Sequence, residues 1–434
     1  MKKFDLCVIG GGPSGFAATM RGLDFGKRVA LIEKNKVGGA GIFNGALSSK
    51  TLWELSENYK RTRHADYGYI VHDCELSYPA VINEMHRAVG NKYNQLREQI
   101  NYFKRKALLT EFHGHGKLKN KNEIEITRAD GSVDVIWADN IILAIGSRPR
   151  YLPNIPIDEK TILTSDGIAS LPDFPKSIVI LGAGVIGCEF ATIFSNHGRT
   201  KVFLIDKEDR ILPFEDEDIS AALASNLERN GVVIHRGSSL ESMKIVNGKV
   251  EYVLNYKDGR HEIYTVDNAL ISVGRVANTE NLGLEAAGVQ LNDRGYCIDN
   301  ATQTTVPNIY AVGDFTADIS LVNVGELEGR YAVERIFGQP PKDLIYENIS
   351  TIMFLNPEVA AVGLNETQAK KRKIPYRMAV MDYRYINRAI AMGKTGGFFK
   401  ILVSDDDEMK ILGLRVMGNH ASSTSQAIAL MIAL

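Results

Sequence analysis

Residues 4–15 read F-D-L-C-V-I-G-G-G-P-S-G, and residues 178–187 read I-V-I-L-G-A-G-V-I-G. Each is a short apolar run, which predicts a buried parallel strand, followed by a glycine-rich turn that opens a helix. In the first copy Gly10 permits the tight turn, Gly12 lets the backbone approach a pyrophosphate, and Gly15 lets helix and strand pack closely. Amides at the helix N-terminus then face the phosphates. A helical stretch to about Phe25 leads to a second strand, Arg28 to Ile32, which ends in Glu33, placed to accept hydrogen bonds from a ribose. The second copy assigns the same parts to Gly182, Gly184, Gly187 and, after a strand from Lys201 to Ile205, to Asp206. Strand, helix, second strand and acid together make a far more specific signal than the glycines alone. Two dinucleotide-binding units in one chain imply two nucleotides held so that they can exchange a hydride.

Working outward, N-I-I-L-A-I-G (140–146) and N-A-L-I-S-V-G (268–274) are matching apolar strands that leave through glycine turns, and N-I-Y-A-V-G-D (308–314) delivers Asp314 beside a glycine. The segment 51–106 carries apolar residues at helical intervals and predicts two helices over the first unit. Runs at 124–127 and 133–138 flank Asp130-Gly131, a hairpin signal. His113-Gly114-His115-Gly116 has alternating histidines beside glycines, and a turn is expected there in preference to a metal site; no metal is expected anywhere in the chain. From about Pro340 the pattern changes to strand-like alternation, predicting an α+β domain with an antiparallel sheet that closes on an apolar helix, 422–434.

The bulk properties narrow the class. The 434 residues are 44% hydrophobic and 24% charged, with 51 basic against 52 acidic side chains. Such a chain buries several cores and offers no large field for nucleic acid or an anionic membrane. K-K-R-K (370–373) is a short solvated helix end. Nothing approaches the roughly 18 apolar residues of a membrane span. The four cysteines, Cys7, Cys74, Cys188 and Cys297, are scattered without metal-like or disulfide-dense spacing, and Met1-Lys2-Lys3 runs straight into a strand, so a cytoplasmic location is expected.

The motifs G-G-G-P-S-G (10–15), A-I-G-S-R-P (144–149), G-A-G-V-I-G-C-E (182–189), V-G-R-V-A-N-T (273–279), I-Y-A-V-G-D (309–314) and P-E-V-A-A-V-G-L (357–364) together resemble the pyridine nucleotide-disulfide oxidoreductases, most closely the dihydrolipoamide dehydrogenase variety. The resemblance covers residue 4 to about 430. It implies an α/β fold with two Rossmann-like dinucleotide-binding domains: FAD on 1–155 and 268–339, and NAD on 156–267. A C-terminal α+β domain, 340–434, would form a homodimer. Gly10, Gly12, Gly15 and Glu33 would hold the FAD pyrophosphate and adenosine ribose, and Asp314 the ribityl chain. Gly116, Gly146 and Val322 would border the same cofactor. Gly182, Gly184, Gly187 and Asp206 would hold NAD, with Gly274 toward the nicotinamide. Lys50, paired with Glu189, would place a cation near flavin N5 and make up the catalytic pair.

Three departures redirect the function. G-G-A-G-I-F-N-G-A-L-S-S-K (38–50) keeps the family's glycines and lysine, but Gly41 and Ala46 stand where the family carries its two redox cysteines. The volume so removed is either refilled by Ile42, Phe43 and Leu47 or left open to a flat acceptor. The sequence ends at Leu434, ahead of the place where the family carries a His-Pro-Thr segment with an acid–base His–Glu pair, so either the chain continues past this point or the protein lacks the pair. The alanine–histidine–lysine run near the flavin reads Val322-Asn323-Val324. The reading is therefore an FAD-dependent oxidoreductase that takes hydride from NADH and passes electrons to a small, non-disulfide acceptor, either quinone-like or another nicotinamide, as in soluble transhydrogenases, which also lack the intact disulfide. The alternative is a non-catalytic FAD- and NAD(H)-binding structural or redox-sensing flavoprotein. NADH bleaching of the bound flavin discriminates the two.

Overall fold

A computed structural model describes residues 1–63, 70–316, 319–338 and 343–433. The chain divides into two compact units, one comprising 1–48, 84–148 and 275–344, the other 49–83, 149–274 and 345–434.

The first unit is built on a sheet that runs, from one edge, Asp299–Asn300, Gln303–Thr304, Ile309–Ala311, Val133–Leu143, Lys2–Ile9, Val29–Glu33 and Leu109–His113. The strand Lys2–Ile9 lies parallel to both neighbours, with Cys7 opposite Ala30 on one side and Ile141 on the other. Its side chains Phe4, Cys7 and Ile9 join Ile32, Phe112, Ile124, Leu143 and Phe315 in one buried core. The expected hairpin forms: Glu123–Thr127 pairs antiparallel with the start of Val133–Leu143 around Gly131, whose φ of +81° suits the turn. That second arm continues without a break into the parallel sheet, so the runs predicted as two strands are one. The tract around His113 and His115 is not a turn. Strand Leu109–His113 passes into strand His115–Leu118 through Gly114 alone, and the latter pairs with Glu123–Thr127.

The second unit holds a parallel sheet ordered Val233–His235, Lys201–Ile205, Ser177–Leu181, Asn268–Ile271, Ile162–Thr164, an antiparallel meander (Ser238–Val246, Lys249–Tyr256, His261–Val266), and an antiparallel five-stranded sheet made from residues 351–417. Helix Ala421–Ala433 packs on that last sheet. Here a sequence boundary is corrected. Asn268–Ile271 pairs with Ser177–Leu181 and with Ile162–Thr164, so the return to the first unit comes after Gly274 and not at residue 268. The boundary placed at 339/340 lies outside the described residues.

The second nucleotide-type sheet and the C-terminal sheet fall in one unit, in which buried charges link their segments. Lys400, fully buried on strand Phe398–Ser404, reaches Asp216 at 2.7 Å, Asp218 at 2.7 Å and Glu366 at 3.1 Å. Nearby, Arg415 pairs with buried Glu215 at 2.8 Å. Charges this deep require partners, and these come from Glu215 and Asp216 just before helix Glu217–Arg229, from Asp218 in its first turn, and from Glu366 at the start of helix Glu366–Arg372.

Candidate functional site

The two glycine loops are near-replicas. Gly10 and Gly182 have φ of +103° and +104°, which L side chains rarely adopt. A Cβ on Gly15 would lie 1.9 Å from the Gly10 carbonyl oxygen, and one on Gly187 would lie 1.9 Å from that of Gly182. The third glycine of each loop is thus obligatory for helix–strand packing. Gly12 and Gly184 have open space around the missing Cβ and serve as N-caps of helices Pro13–Asp24 and Val185–His197. Room beside the backbone at a helix N-terminus is what a pyrophosphate needs, so both loops fit a dinucleotide.

The acids close each loop. Glu33 accepts from Gly11 N at 2.6 Å and Asn35 N at 2.7 Å; Asp206 accepts from Ala183 N at 2.5 Å and Glu208 N at 2.9 Å. Each carboxylate therefore clips its glycine loop to the end of the second strand and leaves lone pairs for hydroxyl donors. Asp206 lines a shallow pocket with Ala183, Leu204, Arg210, Ile234 and His235.

The other first-unit residues are brought together less evenly. Asp314, in the turn Gly313–Phe315, is bonded by Ser147 Oγ and lies 3.8 Å from Arg275 Nε. Gly146 has φ of +64° with open space beside it, and its carbonyl accepts from Asn278 N. Gly116 is buried within a strand, where a Cβ would meet Ile9 and Ile32 side chains at 3.2 Å. Val322 is the half-exposed first residue of helix Val322–Phe337. Gly274 (φ +100°) accepts from Arg150 N in the second unit. Sequence reasoning missed Glu328: fully buried, it accepts from Gly313 N at 2.6 Å and so fixes the turn that carries Asp314.

Lys50 and Glu189 meet within the second unit. Lys50 Nζ donates to both carboxylate oxygens, at 3.0 and 2.9 Å; the Glu189 side chain is 5% exposed and that of Lys50 30%. Glu189 also accepts from Phe354 N at 3.2 Å. In the first unit, a Cβ on Gly41 would lie 2.3 Å from Pro13 Cγ. That direction is taken by Pro13, while Ile42 packs over Gly38 and Phe43 turns edge-on to Tyr93. No cysteine substitutes for the missing pair. All four are free, and burial pushes the Cys7 and Cys188 thiols well up and Cys297 to about 12. Among the described residues no group of His, Cys, Asp and Glu stands in a metal-holding arrangement, and no helix is long and apolar enough to cross a membrane.

Paired dinucleotide loops, an acid closing each one, and a partly buried lysine–glutamate pair define a two-dinucleotide oxidoreductase scaffold. Residues 4–329 match the family described as pyridine nucleotide-disulphide oxidoreductase, and residues 349–434 match its dimerisation domain. The chain belongs to the pyridine nucleotide-disulphide oxidoreductases. It is 37% identical over 434 residues to a dihydrolipoyl dehydrogenase of Chlamydia muridarum, covering 99% of this chain and 90% of that one. It is 33% identical to a soluble pyridine nucleotide transhydrogenase of a Marinomonas species, covering 97% and 89%. Among solved structures, LpdA from Mycobacterium tuberculosis superposes with a TM-score of 0.90 at 25% identity, covering 100% of this chain and 93% of that one. The cofactors are FAD and NAD(H), and the dimerisation domain supports a homodimer.

Proposed function

We propose that this chain is an NADH oxidoreductase whose acceptor is not a disulfide but a small molecule, either quinone-like or a second nicotinamide. One observation carries this reading: the segment 38–50 holds no cysteine, and by the family resemblance Gly41 and Ala46 stand where the redox cysteines would be, while Lys50 and Glu189 are paired. The Pro13 ring beside Gly41 supports it further, since a side chain there would have to displace proline.

When bound, FAD supplies a two-electron centre that can take a hydride from NADH and give it up again. The protein's part is holding and charge placement. Gly10, Gly12, Gly15 and Glu33 would hold the FAD pyrophosphate and adenosine ribose, Asp314 the ribityl hydroxyls, and Gly116, Gly146 and Val322 would border the cofactor. Gly182, Gly184, Gly187 and Asp206 would hold NADH, with Gly274 toward the nicotinamide. Lys50, which the family resemblance assigns to the flavin, would supply a fixed positive charge where negative charge develops. Glu189 orients it. The Marinomonas relative, named as a transhydrogenase, favours a second nicotinamide as acceptor.

The test is anaerobic rapid mixing of the FAD-loaded protein with NADH, followed by a water-soluble quinone, a thionicotinamide dinucleotide or lipoamide. Flavin absorbance is expected to bleach at a catalytic rate and to recover with the quinone or the thionicotinamide, but not with lipoamide. A flavin that NADH leaves unbleached over minutes would favour the non-catalytic reading.

A further inference from the structure

The Lys50–Glu189 pair leans on an aromatic residue that lies outside the motifs. Phe354 follows directly after strand Thr351–Met353 in the C-terminal segment. Its backbone N–H donates to Glu189 Oε1 at 3.2 Å, and its ring centroid lies 5.1 Å from Lys50 Nζ. Trp53, one turn beyond Lys50 on helix Ala46–Arg63, meets the same ring edge-to-face at 5.4 Å with an interplanar angle of 75°.

We propose that Phe354 is a positioning residue for the charge pair, holding the carboxylate through its backbone amide and the ammonium through its ring. The proposal rests on the reading of Lys50 given above. Glu189, 5% exposed, gathers three donor contacts: two from Lys50 and one from the Phe354 amide. A nearly buried carboxylate needs such donors. Lysine is a compact charge on a flexible four-carbon stem, and a carboxylate alone leaves that stem several ways to approach. The negative face of a phenyl ring attracts the ammonium from a second direction and removes that freedom. Trp53 in turn braces the ring, so helix Ala46–Arg63 carries both the lysine and the prop for its clamp. The C-terminal segment, matched as a dimerisation domain, thereby contributes a residue to the ordering of the charge pair.

The test compares Phe354→Leu, Phe354→Met and Phe354→Tyr in the full chain, with and without FAD. The readout is acylation of Lys50 by an N-hydroxysuccinimide acetate, followed by peptide mass spectrometry against exposed reference lysines. Leu and Met keep apolar volume but lose the ring; Tyr keeps the ring. We expect Lys50 to label about three- to tenfold faster in the Leu and Met variants, the factor such a cation–π contact represents, and at the wild-type rate with Tyr. NADH-driven flavin reduction should slow by a similar factor in the Leu and Met variants at saturating NADH, with KM unchanged. Equal labelling of Lys50 in all four proteins would overturn the proposal, whatever the melting temperatures do. If only one ring-less variant folds, it decides the matter alone. Lys50→Met isolates the underlying reading: wild-type flavin reduction in that variant would sink the role of Lys50, while the labelling result would still speak to the clamp.

Discussion

Replacing Lys400 by methionine should be among the most destabilising single changes available in the second unit. The lysine side chain is 0% exposed and contacts three carboxylates, of which Asp216 is 3% exposed, Glu366 23% and Asp218 45%. Asp218 can turn to water, and Glu366 keeps Tyr376 as a donor at 2.9 Å. Asp216 keeps only backbone and hydroxyl donors from Glu366 and Thr367, at 3.1–3.3 Å. Leaving one buried charge under-compensated costs about 3–5 kcal/mol, a fall in melting temperature of roughly 10 °C. Burial opposes the charged forms of both groups. Even so, the hydrogen bonds that Lys400 donates to Asp216 and Asp218 hold it above the ordinary lysine value, and Lys400 with the Thr367 amide holds Asp216 below the ordinary aspartate value. The depressed Asp216 contributes stability above its unfolded pKa of about 3.9 and loses it as pH falls through the lower folded value. The raised Lys400 contributes below its unfolded value of about 10.4 and loses it as pH rises through the higher folded one. The penalty for Lys400→Met is therefore greatest across the neutral plateau and shrinks toward both extremes. Thermal melts of wild type, Lys400→Met, Asp216→Ala and the double variant from about pH 2.5 to about pH 11.5, which brackets both unfolded values, form the assay. The two substitutions should be strongly non-additive at pH 7. Additive effects, or a melting temperature within about 2 °C of wild type, would refute the reasoning.

Gly12→Val should fold but lose FAD, because the missing Cβ has open room until a pyrophosphate arrives, whereas Gly15→Val should fail to fold against the Gly10 carbonyl; circular dichroism with flavin content separates them, and full FAD in Gly12→Val would contradict the loop assignment. Asp206→Ala should raise the KM for NADH about 10- to 100-fold and narrow the preference over NADPH, with FAD content unchanged; a higher kcat/KM for NADPH than for NADH in the unmodified protein would remove Asp206 as the discriminator. His197 is buried against Tyr59 and Phe174, and burial pushes it down to about 4 despite the opposing pull of the Ile193 carbonyl. The unfolded chain then binds the extra proton between about pH 6.5 and that value, so stability falls with pH across this window, by about 3 kcal/mol in all. His197→Phe should flatten that slope in denaturant titrations at pH 5 and pH 7, and an unchanged slope would count against the assignment.

The glycine loops were legible because each asks something of the backbone that only glycine supplies: positive φ at Gly10 and Gly182, and a carbonyl in van der Waals overlap with any Cβ at Gly15 and Gly187. The acids at Glu33 and Asp206 were legible from their place at a strand end, though not their second task of clipping the loops. The strand Asn268–Ile271 was misassigned because N-A-L-I has the same apolar character as Asn140–Leu143, and hydrophobic pattern does not say which sheet a strand joins. Gly116 was read within a turn because two glycines flank His115, yet the ladder to Glu123–Thr127 outweighs that local preference. Glu328, Phe354 and Lys400 carry no local signature at all. Their roles come from partners 15 to 184 residues away, at Gly313, Glu189 and Asp216, with 165 residues separating Phe354 from Glu189.

The electron capacity of the FAD-loaded protein tests the central claim most directly. A redox disulfide in series with the flavin would store a second electron pair; on the proposed reading, Gly41 and Ala46 leave nowhere for it to go. In an anaerobic titration with NADH, followed by flavin absorbance, the account predicts complete bleaching at one equivalent of NADH per FAD, with no further uptake. Uptake of a second equivalent before bleaching is complete, or no bleaching at all, would contradict it.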